Sequence, residues 1–420
     1  MRHLERARVA VISLHTSPLD PPGTGDSGGM NVHIRETMVR LADRGVEVDV
    51  FTRCAGRGVP EVEPVAPGVR VIQVPAGPCA RVEKERLPAL LPMFARSFFE
   101  RGPTSYDLVH AHYWLSGHTA RAARRRWRAP LVASFHTLAR VKDAARGPGE
   151  QAEPEERVRG EASLLHAADR VIAPTPVETG HLIEHYGAPA DRLRVVAPGV
   201  DRVRFRPRPS LEAKLAWGLA DRRVALFVGR LQPHKGPDMA VRAVAAAVRA
   251  DPAGTRDLEL VVAGGPGAAS ASEPERLRGL ARAEGIADRV RLVDSIRHDE
   301  LPWLYAAADV VLVPSRSESF GLVALEAQAS GVPVVAAAVG GLPFIVEDGV
   351  TGFLVGRPDP REYAARLVRL LAAPQLGRRM GMAAASRADR FPWEATTSGL
   401  VDVYGELVPA LGGRALRAAP

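Results

Sequence analysis

The chain has 420 residues, 46% of them hydrophobic and 25% charged, with a formal net charge of +8. That balance excludes a disordered or collagen-like chain, leaves length for two cores and sets a prior of two domains. The two cysteines, Cys54 and Cys79, are too few for a disulfide framework and stand in no metal-like spacing, which points to a reducing compartment.

The segment Met1–Arg8 is polar, and the apolar run Val9–Leu14 is too short for the core of a signal peptide. No stretch reaches the ~18 apolar residues of a membrane span. These features lead us to expect a cytoplasmic soluble protein. The positive charge is spread along the chain, and its densest cluster, Arg121–Arg128, reads as a solvated helix face. No nucleic-acid-binding pattern accompanies it, so anionic small molecules are the expected partners and nucleic acid is not.

In chain order, the first half predicts strands at Arg8–Leu14, Val46–Thr52, Val69–Val74, Leu108–His110, Leu131–Phe135, Arg170–Ala173 and Leu193–Val196. They are rich in Val and Ile and do not alternate, as expected of parallel strands covered on both faces. A helix over Val32–Asp43 is stopped by Gly45. The proline- and arginine-rich stretch Ala197–Pro209 reads as a domain boundary. The pattern then restarts, with strands at Val224–Val228, Leu258–Ala263, Val290–Val293, Asp309–Val313 and Val332–Ala336 and a last helix at Trp393–Leu407. Two such series predict two Rossmann-like α/β domains with ligands at the carboxyl ends of their strands, in the cleft between them.

Four motifs sit where those strands end. Gly23-Thr24-Gly25-Asp26-Ser27-Gly28-Gly29-Met30-Asn31 follows the first strand. Its glycines admit a close ligand and the next helix offers free N–H groups to an anion; a plain turn capped by Asn31 is the alternative. Gly229-Arg230-Leu231-Gln232-Pro233-His234-Lys235-Gly236 ends another strand with two cations five residues apart, a spacing suited to a diphosphate. Only four of 56 basic residues are lysine, and Asn31 is the sole asparagine. Lys235 and Asn31 are therefore residues to which a role is readily given, since a compact ammonium is not replaced by arginine at a tight site. Lys214 falls in no motif and reads as a surface residue.

The third motif, Pro314-Ser315-Arg316-Ser317-Glu318-Ser319-Phe320-Gly321-Leu322-Val323-Ala324-Leu325-Glu326-Ala327, follows the strand Asp309–Val313. A helix starting near Gly321 puts Glu318 just before its positive end and Glu326 in its second turn. Free N–H groups near Phe320 and Gly321 would hold a phosphate, and Glu326 would accept from ribose hydroxyls. Gly340-Gly341 predicts a further close-approach loop. The fourth motif is aromatic: His110-Ala111-His112-Tyr113-Trp114 and Phe135-His136-Thr137, both after strands, predict a polar pocket. No Asp-X-Asp motif occurs, so a metal is not required and Mg2+ is allowed but not indicated.

Taken together these motifs resemble the retaining glycosyltransferases of family four, with the GT-B fold of two Rossmann-like domains. The most specific element is the Glu318 and Glu326 pair in SESFGLVALEA, supported by GRLQPHKG. HTSPLDPPGTGDSGGMNVH, HYWLSG and FHTLARVKD resemble the branch that moves N-acetylglucosamine from UDP to an inositol phosphate in mycothiol biosynthesis.

The resemblance implies a UDP-sugar donor held by Gly29, Arg230, Lys235, Glu318, Phe320, Gly321, Leu322 and Glu326. It implies a phosphorylated polyol or sugar acceptor held by His15, Asp26, Ser27, Asn31, Lys84, Tyr113, Thr137 and Arg157. Catalytic roles fall to His136, Arg230, Lys235 and Glu318. It further implies an acceptor domain over 1–203 joined by a terminal helix, about 393–420, that packs back. The donor domain would span 204–392; a homodimer is allowed. GPCARVEKERLPALLP resembles sucrose-phosphate-synthase-like relatives as much as the inositol branch, and the segment Arg146–Arg159 is shared with broader family members, which leaves the acceptor open.

Overall fold

The computed structural model describes residues 7–23, 25–102, 105–147, 150–265, 272–294, 296–297 and 299–412. Thr24 of the first glycine motif, part of the segment Arg146–Arg159 and the tail 413–420 lie outside the described residues.

The first sheet has eight strands: β1 (Arg8–Ile12), β2 (Glu47–Arg53), β3 (Val62–Ala66), β4 (Val69–Val74), β5 (Leu108–His112), β6 (Leu131–Ser134), β7 (Arg170–Ala173) and β8 (Leu193–Val195). Their order is β3-β4-β2-β1-β5-β6-β7-β8, and all pairs are parallel except β3 with β4. The second sheet holds β9 (Arg223–Val228), β10 (Leu258–Ala263), β11 (Val290–Val293), β12 (Val310–Val313), β13 (Val334–Ala337) and β14 (Gly352–Val355). Its order is β11-β10-β9-β12-β13-β14, all parallel.

Both sheets are covered on both faces, which is why their strands carry unbroken apolar runs. In β1, Val9 and Val11 pack with Ile34, Met38 and Leu41 of the helix Gly29–Asp43, while Ala10 and Ile12 face Phe51, Phe94 and Phe98. In β9, Val224 and Leu226 face one layer and Ala225 and Phe227 the other. The period of two thus divides each strand between two cores. Helix Trp393–Leu407 crosses back to the first sheet, burying Leu400, Val401, Val403 and Tyr404 there, and Glu394 pairs with Arg40 at 3.0 Å.

Three sequence expectations need correction. β3 and β14 were not foreseen: β3 is a half-exposed edge containing Pro64, and β14 is only four residues long. β3 has no continuous apolar run, and β14 opens on Gly352 directly after the turn at Gly349. The cysteines are bonded to each other, with Cα atoms 5.0 Å apart. Parallel pairing of β2 with β4 sets Arg53 opposite Val74, so the segments leaving both strands continue side by side. Lys214 is not a free surface residue; its Nζ bonds Asp309 at 2.8 Å and the Arg222 carbonyl at 2.9 Å.

Candidate active site

In each sheet the strand order reverses at one point, between β1 and β5 and between β9 and β12. A crevice opens beyond the carboxyl ends of strands at such a point. Here the two crevices face one another, and a cavity of about 310 Å³ lies between them. All four motifs contribute to its walls.

The second sheet supplies one wall. Arg230 leaves β9 and reaches across the cleft to Asp26 at 3.5 Å, while Lys235 Nζ bonds Glu318 Oε2 at 2.7 Å. Burial pulls the Arg230 guanidinium down from its ordinary range, and Asp26, Tyr113 and Glu318 act against that. Helix Leu322–Ala329 begins after Gly321 and directs its free N–H groups at the cavity. Glu326 is buried in the second turn and accepts from Tyr305 Oη at 2.9 Å.

Two glycines make this wall possible. Gly236 has φ +73° and a Cβ there would lie 2.1 Å from the Pro314 carbonyl. Gly340 has φ +52°, and its Cβ would lie 1.7 Å from the Glu318 carbonyl, so Gly340-Gly341 is packed beneath the Glu318 turn. No side chain fits at either place.

The first sheet supplies the facing wall. Tyr113 and His136 follow β5 and β6 with φ of 67° and 62°, strained values for residues with a Cβ. His136 Nε2 shares a hydrogen bond of 2.8 Å with His112 Nδ1. His110 bonds Tyr404 Oη at 2.7 Å and Ser134 Oγ at 3.0 Å. Burial, and then the neighbouring histidines, depresses His112 and His136 well below the usual histidine range. His110 falls to about 3 and His33 to about 4 by burial. The group is therefore neutral at pH 7. Lys84 Nζ lies 4.4 Å from the centre of the Tyr113 ring and Arg157 Cζ lies 5.1 Å from it. The His15 ring is 4.6 Å from the same tyrosine, and burial with Lys84 and Arg230 keeps it neutral.

The cavity wall includes His15, Asp26, Gly29, Lys84, Tyr113, His136 and Thr137 from one side. From the other come Arg230, Lys235, Glu318, Phe320, Gly321, Leu322 and Glu326. Ser27, Asn31 and Arg157 stand behind it. Ser27 Oγ donates to the Asp20 carbonyl at 3.0 Å, and Asn31 Oδ1 accepts from Gly28 N at 3.0 Å while its amide reaches Thr16 and Ser17. Both shape the glycine turn. Arg157 is buried, with Glu161 at 2.8 Å, Glu153 at 2.7 Å and Thr137 Oγ1 at 2.9 Å.

Two wall residues were not foreseen. His33 lies four residues after Gly29 on one helix face, a spacing that carries a signal, and its ring meets those of His112, His136 and Trp393. Ser319 lies within the third motif, and its hydroxyl donates to the His136 carbonyl across the cleft at 2.6 Å. No group of three or more metal-ligating side chains gathers among the described residues, and no described helix is long and apolar enough to cross a membrane.

Two family models match the chain: Glycosyltransferase Family 4 over residues 27–204 and Glycosyl transferases group 1 over 213–387. The D-inositol 3-phosphate glycosyltransferase of Acidothermus cellulolyticus is 48% identical over 94% of this chain and 90% of that protein. That of Thermomonospora curvata is 48% identical over 95% of both. Among solved structures, the sucrose-phosphate synthase of Thermosynechococcus elongatus has a TM-score of 0.87 at 33% identity, over 96% of this chain and all of that one. Anabaena HepE, solved with UDP-glucose, has a TM-score of 0.75 at 21% identity over 95% of this chain and all of its own, a likeness of fold. The chain is a sugar-transferring enzyme of GT-B fold, and it belongs to the family of the D-inositol 3-phosphate glycosyltransferases.

Proposed function

We propose that the enzyme transfers N-acetylglucosamine from UDP-N-acetylglucosamine to inositol phosphate with retention at the anomeric carbon, the glycosyl step of mycothiol biosynthesis. The observation that carries this reading is a pair of cationic sets on opposite walls of one cavity. Arg230 and Lys235 come from the second sheet's side, and Lys84 with Tyr113 and Thr137, backed by Arg157, from the first sheet's side. The first set suits a diphosphate and the second a phosphomonoester, and the identity to inositol-phosphate enzymes supports that acceptor. On this reading residues 1–203 with 393–420 form the acceptor domain and 204–392 the donor domain.

The departing UDP gains negative charge as the glycosidic C–O bond breaks. Arg230, Lys235 and the N–H groups at Gly321 and Leu322 stabilise that charge, and such preorganised donors contribute about 2.7–4 kcal/mol each. The acceptor hydroxyl attacks the anomeric carbon from the face that UDP leaves, and its proton passes to the departing phosphate oxygen. Glu318, paired with Lys235, is then a ligand for donor-sugar hydroxyls and not a nucleophile. His136 lies beside the reacting sugar, and its neutral ring suits a hydrogen bond to a hydroxyl.

A second reading keeps the donor and makes fructose 6-phosphate the acceptor, supported by the 33% identity to a sucrose-phosphate synthase. The test is UDP release from UDP-N-acetylglucosamine and from UDP-glucose, each with inositol phosphate and with fructose 6-phosphate. Release confined to the N-acetyl donor with inositol phosphate is the expected result. Release confined to fructose 6-phosphate overturns the acceptor and leaves the donor site standing.

A further inference from the structure

Lys84 reaches the cavity on a loop with little structure of its own. Residues 75–83 leave β4, and Lys84 opens the short helical segment Lys84–Leu90. Gly77, Pro78, Ala80, Arg81 and Glu83 are exposed. Yet both cations of this stretch are placed. Lys84 Nζ lies 4.4 Å from the centre of the Tyr113 ring. Arg81 lies over the first glycine motif: a Cβ at Gly25, where φ is +54°, would stand 3.2 Å from its Nη1. An exposed loop without ties opens readily and gives its side chains no fixed position, so the ties of this one decide where Lys84 stands.

Two adjacent residues at the end of β2 supply those ties. Arg53 is 5% exposed, and no carboxylate pairs with it among the described residues. Its guanidinium donates instead to three carbonyls of the loop: Ala76 at 3.5 Å and Pro78 at 2.9 Å through Nη1, and Ala80 at 2.6 Å through Nη2. A buried guanidinium without a counter-ion is costly, and burial pulls Arg53 down from its ordinary range. What it supplies in return is a rigid fork of donors that gathers several carbonyls at once. Its backbone N–H also donates to the Leu14 carbonyl at 3.1 Å, one residue before the wall residue His15. Cys54, the next residue, is bonded to Cys79 within the same loop. The chain has two cysteines, so the one crosslink it can make falls on the loop that carries Lys84.

We propose that Arg53 and the Cys54–Cys79 bond form a clasp that positions Lys84 for the acceptor, and that a small thiol opens the covalent half of it. Arg53 is then a positioning residue that acts through Lys84. The inference rests on the reading of Lys84 as an acceptor ligand. The opening step is a thiol–disulfide exchange. The thiolate of the reductant attacks the sulfur of Cys79, the less buried of the two residues, and Cys54 leaves as a thiolate. A second thiol attacks the mixed disulfide and displaces Cys79. Two thiols are thus oxidised to one disulfide, and their protons end on the sulfurs of Cys54 and Cys79. The loop then keeps the Arg53 bonds alone.

The test has two readouts. The first is the KM for each substrate, with whichever of inositol phosphate and fructose 6-phosphate wild type uses. It is measured in wild type with and without dithiothreitol, in Arg53→Ala, Arg53→Lys, Cys79→Ser and Lys84→Ala, and in the double alanine variant. Arg53→Ala raises acceptor KM about tenfold, the scale of one charge-assisted hydrogen bond, with donor KM retained. Arg53→Lys, whose ammonium cannot span all three carbonyls, recovers part of the loss. Dithiothreitol raises acceptor KM in wild type by a smaller factor, and Cys79→Ser starts at that raised value and does not respond to it. Once Lys84 is alanine, Arg53→Ala adds nothing to acceptor KM, because the group it positions is gone.

The second readout is amide hydrogen exchange over residues 75–90, which needs no substrate. Exchange there rises in Arg53→Ala and in reduced wild type, while that of β5 and β6 stays as it was. The idea is overturned if donor KM rises as much as acceptor KM, if the Arg53 and Lys84 effects multiply, if dithiothreitol and Cys79→Ser change nothing, or if exchange over 75–90 is the same in all. If Lys84→Ala leaves acceptor KM where it was, the acceptor reading fails, and exchange alone decides whether the clasp holds the loop.

Discussion

On the donor wall, Lys235 stands 2.7 Å from Glu318 and Arg230 reaches Asp26 at 3.5 Å, so opposite charges meet in a site that expects an anion. On the facing wall, His112 and His136 share a hydrogen bond at 2.8 Å, and neither is charged at pH 7. On the proposed reading the first wall stabilises charge that appears during the reaction. The second carries neutral histidine rings and keeps its cations, Lys84 and Arg157, over Tyr113. On the same reading a diphosphate would take the place of the donor wall's ionic partners, whereas the histidines already partner one another.

That contrast is sharpest at Lys235. Lys235→Ala should lower kcat by about 100- to 1000-fold, the effect of removing one preorganised donor to a leaving group. The KM for the acceptor should stay unchanged. Turnover by initial-rate UDP release checks it, and a change confined to acceptor KM would break the division between the walls. Lys84→Ala is the mirror experiment. Loss of a charge-assisted contact of about 1.5–3 kcal/mol should raise acceptor KM by about 10- to 150-fold, with donor KM retained. A donor KM that rises with it would show that the two sites share their cations.

The same contrast explains what the amino-acid sequence discloses. The donor wall is written in two contiguous strings, so its residues are legible and each of those named lines the cavity. The facing wall is assembled from the ends of β1, β5 and β6 and a loop near Lys84; its histidine and tyrosine strings are legible as a pocket, but His15, Lys84 and Arg157 only through resemblance. Of the eight named there, Ser27, Asn31 and Arg157 turn out to stand behind the surface. The strands and their parallel type are readable because both sheets are buried on both faces. β3 was not, since an exposed edge with Pro64 carries no apolar run. The Cys54–Cys79 bond depends on which strands are neighbours, which spacing does not encode.

The histidine stack makes its own prediction for pH. His33 and His110 have folded-state values of about 4 and about 3, below the unfolded value of 6.5. Unfolded chains then bind protons that the folded protein refuses, so stability is complete above pH 6.5 and falls as pH drops toward 4 and 3. At pH 5 each such histidine should cost about 2 kcal/mol, at about 1.4 kcal/mol per pH unit. Urea midpoints at pH 7 and 5 in wild type and His33→Gln measure this. A variant that keeps the full acid sensitivity would remove His33 from the stack's titration.

The smallest effect isolates the returning helix. Tyr404 Oη bonds His110 Nδ1 at 2.7 Å, so the terminal helix fixes the ring against which His112 is tilted, with centroids 4.1 Å apart. Tyr404→Phe leaves the apolar contacts of Leu400, Val401 and Val403 in place and removes one hydroxyl. A buried hydrogen bond of this kind is worth about 0.5–1.5 kcal/mol, so the unfolding free energy from urea titration should fall by that amount. Donor KM should not move, because no element of the second sheet touches this hydroxyl among the bonds described. If donor KM shifts as well, the terminal helix transmits strain across the cleft and the two walls are not independent. If only stability shifts, the helix serves to anchor the neutral wall and leaves the charged one to its own glycines.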